Sequence, residues 1–179
     1  MKAPKAVTHE ARLIGCGPRL AQFFAEIAPL GDRIGPILVQ LPPSLAFDAA
    51  IAAAFFADLR TRWEGPVALE PRHVSWFEAD ATALLIACRT ARVAADPART
   101  PAAAAPGGDP ALAYWRLHGS PRLYYSAYGP DTLDEIAAAM AGTGAGEVWC
   151  IFDNTASGAA AANALALAER LCPPAARSP

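Results

Sequence analysis

One stretch of the sequence, LEPRHVSWF (residues 69–77), places three reactive side chains directly after an apolar run. Glu70 can act as a general base, and His73 can exchange a proton near neutral pH. The planar guanidinium of Arg72 can hold an anion through two parallel hydrogen bonds. Together these residue types point to acid–base chemistry beside a bound anion, provided that the fold brings them to one place.

Short apolar stretches recur along the chain and predict the strands that carry such side chains. They are rich in strand-forming residues and cover 34–41, 66–70, 91–96, 112–118 and 147–152. Helical spacing occurs between them, as in Leu20, Phe23, Phe24 and Ile27, and the last helix is expected to begin with Ser157 as its N-cap. Alternating strands and helices predict one parallel sheet with helices on its outer face.

Polar groups stand at the carboxyl end of every predicted strand. They are Gln40, Glu70, Arg72, His73, Asp96, Arg116, His118, Asp153 and Asn154. Parallel α/β folds bind ligands at this edge of the sheet, so we expect the groups to converge there. The Pro-, Gly- and Ala-rich segment 97–111 predicts a loop over one end of the sheet rather than a domain linker.

Several functions fit this constellation. In an enzyme acting on a small anion such as a phosphorylated molecule, Arg72 and Arg116 would clamp the anion, and the catalytic candidates are Glu70, His73, Asp96 and His118. A metal-assisted phosphodiesterase acting on nucleic acid would instead use a divalent cation held by Glu70, Asp96, His118 and Asp153. The two guanidinium groups repel a bare cation, so the anion hypothesis is favoured and no metal ligand is assigned. A non-catalytic interaction module is the third hypothesis.

Each residue taken alone also fits a structural role. Strand-end acids and arginines commonly form structural ion pairs, and Asp153-Asn154 fits a turn that precedes a helix. The aromatic pairs Trp76-Phe77 and Tyr124-Tyr125 are interpreted as packing residues rather than as stacking platforms for bases. It is the occurrence of polar groups at all five strand ends that favours a functional site.

The composition limits the class of protein. The chain has 179 residues, 54% of them hydrophobic and 18% charged, with a net charge of −2, which gives no general attraction to nucleic acid or to anionic membranes. No apolar run reaches the length of a membrane span, and no signal segment opens the chain, so a cytoplasmic location is expected. The cysteines form no CxxC motif and are expected to be reduced; they are Cys16, Cys88, Cys150 and Cys172.

Several stretches together resemble the YecE-like family, known as domain of unknown function 72. The matching stretches are KAPKAVTH, IGPILVQLPPS, ALEPRHVSWF, YWRLHGSPRLYYSAY and FDNTASGAAAANAL, from residue 2 to residue 165. The resemblance implies a TIM-like (β/α) barrel with a site at the top of the barrel, but no reaction and no cofactor. It adds Lys2, His9 and Tyr128 to the binding residues, beside Gln40, Arg72, Arg116 and Asn154. Asp153 departs mildly from the family pattern, which often has Asn there.

The same resemblance implies two further βα units upstream of Met1. Within that pattern, residues 1–4 match the remnant of a third strand, and five strands with a remnant do not make the eight of a barrel. The expectation is therefore an incomplete barrel domain over residues 1–172 with a flexible tail over 173–179. The chain would be a fragment, a misassigned start or a shortened barrel. Open sheet edges would make self-association a further expectation.

Overall fold

The computed structural model describes residues 1–172, so the tail predicted over 173–179 lies outside the described residues. Seven strands are present in this part: β1 (Ile37–Gln40), β2 (Val67–Glu70), β3 (Thr90–Arg92), β4 (Ala94–Asp96), β5 (Gly107–Gly108), β6 (Leu112–Leu117) and β7 (Glu147–Phe152). The α-helices are α1 (Gly17–Ile27), α2 (Ala49–Arg60), α3 (Ala79–Ala87), α4 (Pro130–Ala141) and α5 (Ala159–Leu171). Shorter helical turns cover Ala6–Glu10, Ala28–Arg33, Val74–Phe77 and Pro101–Ala103.

The strands form two sheets, with the orders β1-β2-β3-β5 and β4-β6-β7. The predicted parallel pairing of successive strands is confirmed, because β1–β2, β2–β3, β4–β6 and β6–β7 are all parallel. The prediction of one sheet was wrong. Residues 91–96 divide at Val93, so that β3 pairs with β2 and β4 pairs with β6. Within residues 1–172 the two sheets are not closed on themselves.

The segment predicted as a loop, 97–111, contains a short strand. β5 pairs antiparallel with β3 through Ala91 opposite Gly108 and Arg92 opposite Gly107. Gly108 has a positive φ of 70°, a conformation that glycine adopts without steric cost, and an added Cβ would lie 2.4 Å from the carbonyl oxygen of Thr90. The glycine pair therefore allows the segment to fold back onto β3.

The two faces of the sheets differ in what covers them. Helices pack on one face, where Ile37, Val39 and Leu69 join a buried cluster with residues of α1, α2 and α3. On the other face the buried cluster contains no helix residue. It consists of strand residues and of Val93, which lies between β3 and β4: Leu38, Ala68, Ala91, Val93, Leu112 and Tyr114, with Trp149 and Ile151 beside them. We call these the helix-packed face and the strand-only face. Burial on both faces is typical of parallel sheets.

Side chains at the starts of α2 and α5 have different roles. The side chain of Asp48 accepts a hydrogen bond from the amide of Ile51 at 3.0 Å and thereby caps α2. Ser157 was wrongly predicted as the cap of the last helix. Its Oγ donates to the carbonyl of Tyr125 at 2.6 Å, and α5 begins two residues later, after Gly158. The hydroxyl is therefore used to hold a loop.

Two of the sheet edges lie near the ends of the described chain. At one edge, Lys2 pairs in parallel with Leu38 of β1. At the other edge, β7 pairs with β6 and is the last strand of its sheet. Self-association through such edges stays a prediction.

None of the helices in the described residues is both long enough and apolar enough to span a bilayer.

Candidate functional site

Glu70, the last residue of β2, is the centre of a charged cluster on the strand-only face. Its side chain is only 2% exposed and accepts hydrogen bonds on both oxygens. Oε1 lies 2.9 Å from Nη2 of Arg72, and Oε2 lies 2.6 Å from Nη1 of Arg116. Nε2 of His118 and Nε2 of Gln40 each lie 3.3 Å from Oε1. The paired strands β1 and β2 position two of these groups, because Gln40 stands opposite Glu70 in their register.

This surrounding keeps Glu70 ionised. Burial alone would raise the pKa of the carboxyl, but the hydrogen bond with His118 and the charge and hydrogen bond of Arg116 lower the pKa to about 2. A carboxylate with so low a pKa is a weak base. The geometry therefore suits Glu70 to holding positive groups in place rather than to the proton abstraction expected from the sequence.

Asp153, directly after β7, supplies the second carboxylate of the cluster. Its Oδ2 lies 2.8 Å from Nη2 of Arg116 and 3.0 Å from Nδ1 of His118. The imidazole of His118, 3% exposed, thus lies between Asp153 and Glu70, and it can donate to both only when both ring nitrogens are protonated. Burial lowers the pKa of Arg116, but the two carboxylates outweigh this effect and raise it.

Arg116 is engaged by these carboxylates and is therefore not free to clamp an anion as the sequence predicted. Its side chain is 11% exposed, and Nη1 and Nη2 bind Glu70 and Asp153. A cavity of about 210 Å³ opens beside the cluster and is lined by Glu70, Arg72, Arg99, His118 and Leu123, among others. Arg72 and Arg99 are thus the two arginines in the lining of this cavity.

Arg99 was not among the site residues predicted from the sequence. It lies on the segment that follows β4, which was predicted as a loop over one end of the sheet. That predicted position was itself a signal, because a loop after a parallel strand begins at the edge where ligands bind. The surroundings of the residue, PARTPAAAAP, carry no recognisable motif that would have marked it.

Further positive charge lies at the start of the chain. Nζ of Lys2 donates to Oε1 of Gln40 at 3.2 Å, which links it to the cluster. Nδ1 of His9 lies 2.8 Å from Oγ1 of Thr8. The pKa of His9 is lowered by burial and by the nearby charges of Lys5, Lys2 and Arg72. The positive charges of Lys2 and Arg72 thus both act on His9, one of the binding residues that the resemblance implies.

Three other predicted site residues take part in local structure elsewhere. Nδ1 of His73 accepts from the amide of Ser75 and lies 2.9 Å from its Oγ, so His73 caps the turn Val74–Phe77. Oδ2 of Asp96 accepts from the hydroxyl of Tyr128 at 2.7 Å. This hydroxyl also accepts from the amide of Gly119 at 2.8 Å, and burial together with Asp96 raises the pKa of Tyr128. The structure does not place Asp96 with Glu70.

Asn154 is fully buried and anchors the loop 119–128. Its Nδ2 donates to the carbonyl of Ser126 at 3.0 Å and to Oδ1 of Asn163 at 2.9 Å. Asn163, on α5, also accepts from the amide of Tyr128 and donates to its carbonyl at 3.0 and 2.9 Å. Asn154 thus acts beneath the loop, away from the cavity lining.

The acid and imidazole groups do not form a metal cluster in the part of the chain that the structure describes. No group of three or more His, Cys, Asp or Glu side chains there is arranged to hold a metal ion. Asp96, one of four ligands considered for a divalent cation, binds Tyr128 instead. Arg116 lies between the carboxylates of Glu70 and Asp153 that would have to share the ion.

Replacement of Asn163 by alanine is expected to destabilise the protein by roughly 2–4 kcal/mol, because it leaves both backbone groups of Tyr128 without their buried partners. The free energy of unfolding in urea measures this effect. Amide hydrogen exchange at Tyr128 should speed up more than exchange in β1. Equal acceleration at both places would show that Asn163 does not hold the loop locally.

A chain with parallel strands, helices between them and a charged cluster at the carboxyl ends of the strands belongs to the broad class of mixed α/β proteins. The chain is a member of the DUF72 family: the family model described as "Protein of unknown function DUF72" matches residues 1–178. This confirms the resemblance seen in the sequence.

Solved structures with the same fold come from this family. A DUF72 family protein from Thermotoga maritima is 25% identical, with a TM-score of 0.79 over 95% of this chain and 72% of that chain. Two structures of a DUF72 family protein from Enterococcus faecalis have TM-scores of 0.77 and 0.76, identities of 21% and 22%, and cover 96% of this chain and 73% and 76% of theirs. No curated protein matches the sequence.

Proposed function

We propose that the chain binds a small organic anion in the cavity at the carboxyl ends of its strands and that His118 exchanges a proton with the bound molecule. The observation that carries this proposal is the lining of the cavity of about 210 Å³, in which Arg72, Arg99 and His118 face one space. The family comparison assigns no ligand, so the support comes from charge, size and geometry.

The charge balance favours an anion. The acids of the cluster are already compensated: Glu70 binds Arg72 and Arg116, and Asp153 binds Arg116. Lys2 and Arg99, in contrast, form no salt bridge within residues 1–172. A phosphate or carboxylate would supply the missing negative charge and would accept the hydrogen bonds of the planar guanidinium groups.

The size of the cavity sets an upper limit on what it encloses. Pockets for drug-sized ligands usually measure about 300–1,000 Å³, so about 210 Å³ fits a smaller group. A phosphate with a few attached atoms is of this size. A long polymer such as nucleic acid would have to lie mainly outside the cavity.

His118 is the group in the lining best placed to move a proton. Asp153 binds its Nδ1 and thereby orients the ring, as a carboxylate does for a catalytic histidine. Nε2 lies 3.3 Å from Oε1 of Glu70, a long hydrogen bond that a ligand atom can replace. We propose His118 as the proton donor and Arg72 with Arg99 as the anion-binding groups.

For the architecture, we propose that the two sheets are one curved arc of a (β/α) barrel. Residues 90–96 alternate between faces without interruption: Ala91 and Val93 lie on the strand-only face, and Ala94 packs against the helices. The amide of Val93, the residue at the division, donates to the carbonyl of Leu69 at 2.9 Å, so the hydrogen bonds to β2 continue up to the residue directly before β4. We further propose a cytoplasmic location, consistent with four free cysteines.

Calorimetric titration with inorganic phosphate tests the anion site. We expect Arg99→Ala to weaken phosphate binding about tenfold or more, because it removes a charge-assisted contact. The matched control is Arg33→Ala, an exposed arginine just before β1, at the opposite end of the strands. Its phosphate affinity should equal that of the wild type.

Equal phosphate affinity in Arg99→Ala and the wild type would contradict the anion site. Titrations with magnesium, manganese and zinc without any anion test the metal-assisted alternative. The anion proposal would be overturned in favour of that alternative by one pattern of metal binding. In this pattern, Glu70→Gln and His118→Ala abolish metal binding, and Arg99→Ala leaves it intact.

A further inference from the structure

The loop 119–128 that borders the cavity holds Tyr124 in an unusual backbone conformation. Tyr124 has a φ of 66°, which is costly for a residue with a large side chain. The surrounding structure fixes it on both sides: its amide donates to the carbonyl of His118 at 2.6 Å, and its carbonyl accepts from the amide of Ala156 at 3.1 Å. The strain is therefore maintained by hydrogen bonds to His118, directly after β6, and to Ala156, in the turn that follows β7.

This fixed loop presents apolar side chains to solvent instead of burying them. Leu123, Tyr124 and Tyr125 are 41%, 40% and 45% exposed. Tyr124 and Tyr125, interpreted from the sequence as packing residues, are only partly buried and pack against His118 and Arg122, whereas Trp76 is buried at 1% exposure as expected. Because Tyr124 is 40% exposed, its burial alone does not account for the strain of its backbone.

The position of these side chains connects them with the proposed anion site. Leu123 lines the same cavity as Arg72 and Arg99. The ring of Tyr124 lies edge-on to His118, with centroids 5.8 Å apart and an interplanar angle of 85°. Tyr125 differs, because the guanidinium of Arg122 covers one face of its ring at 3.9 Å. Leu123 and Tyr124, which we call the apolar wall, thus stand beside the positive lining of the cavity.

We infer that the ligand is an aromatic ring bearing an anionic group, whose ring packs against Leu123 and Tyr124 while its phosphate or carboxylate binds Arg72 and Arg99. This inference rests on the proposed function and specifies its ligand class. An aromatic ring suits the wall, because aromatic pairs attract each other in edge-to-face or offset geometry. A sugar phosphate would satisfy the arginines but would leave the apolar wall exposed to water.

Titration with phenyl phosphate and glycerol 3-phosphate tests the inference, since the two monoesters share the charge and differ in the ring. We expect wild-type protein to bind phenyl phosphate roughly three- to tenfold more tightly. Tyr124→Gly should remove this preference, since glycine accepts the positive φ and leaves no ring. Tyr124→Phe should retain it, and Tyr125→Ala serves as the control with unchanged preference.

The outcomes separate the inference from the function on which it rests. Equal affinities of the wild type for the two esters, both lowered by Arg99→Ala, would overturn the aromatic ligand and leave the anion site standing. Failure of both esters and of inorganic phosphate to bind would overturn both. A preference for phenyl phosphate that survives in Tyr124→Gly would place the ring elsewhere and contradict the inference. Thermal unfolding of each variant shows whether it is folded.

Discussion

Glu70→Gln is expected to lower the free energy of unfolding by about 3–5 kcal/mol, the usual cost of removing one partner from a buried ion pair. Glutamine keeps the size of the side chain but leaves Arg72 and Arg116 without the carboxylate that they share. The loss is large because the site of Glu70 is 2% exposed, so water cannot replace the missing charge. Urea denaturation monitored by tryptophan fluorescence measures the change.

Glu64→Gln provides the matched control for this substitution. Glu64 is exposed and lies just before β2, so the same chemical change should alter stability by less than about 0.5 kcal/mol. A loss of less than about 1 kcal/mol in Glu70→Gln would contradict the assignment of Glu70 as the buried centre of the cluster. Phosphate titration of the folded variant would then show whether Arg72 is still held at the cavity.

Hydrophobic stretches were sufficient to predict the parallel strands, but not the short antiparallel strand β5. The run 66–70 contains β2, which is buried throughout, and the apolar spacing of Leu20, Phe23 and Ile27 matches the buried side of α1. Such patterns reflect local burial and are visible in the sequence. The division of residues 91–96 at Val93 was not visible in the sequence. It depends on which neighbouring strand each half can reach with its hydrogen bonds in the folded protein.

The alternation of side chains along a strand explains which site predictions match the structure. Glu70 lies two residues after Ala68, and Arg116 lies two residues after Tyr114, so both share the strand-only face with those core residues. Asp153 follows Ile151 in the same way. Asp96 and Asn154 fall on the other parity and bind Tyr128 and Asn163 instead.

The sequence itself separates Asp96 and Asn154 from the cluster around Glu70. The same alternation of side chains extends to the ends of β4 and β7 and places these two residues on the other face. What the sequence could not show is how side chains share partners. Arg116 was predicted to clamp an anion and His118 to act in catalysis, but each contacts both Glu70 and Asp153. Contacts between residues so far apart in the sequence follow from the tertiary fold and leave no local pattern.

The ion pairs of Glu70 also predict a pH dependence of stability. The pKa of this carboxyl falls from 4.5 to about 2 in the folded protein. A carboxyl with a lowered folded-state pKa contributes stability that is fully present above its unfolded pKa and is lost as the pH falls through the folded one. A tenfold change in the acid dissociation constant corresponds to about 1.4 kcal/mol, so the full contribution is about 3 kcal/mol.

Other carboxylates titrate in the same range, so the comparison of wild type with Glu70→Gln isolates this contribution. Between about pH 5 and pH 3 the stability difference between the two proteins should narrow by about 2 kcal/mol, because the unfolded wild type takes up a proton at residue 70 that its folded form does not bind. Urea denaturation at several pH values measures it. A difference that stays constant down to about pH 3 would mean that residue 70 takes up its proton equally in the folded and the unfolded protein, and would contradict a pKa lowered by the ion pairs with Arg72 and Arg116.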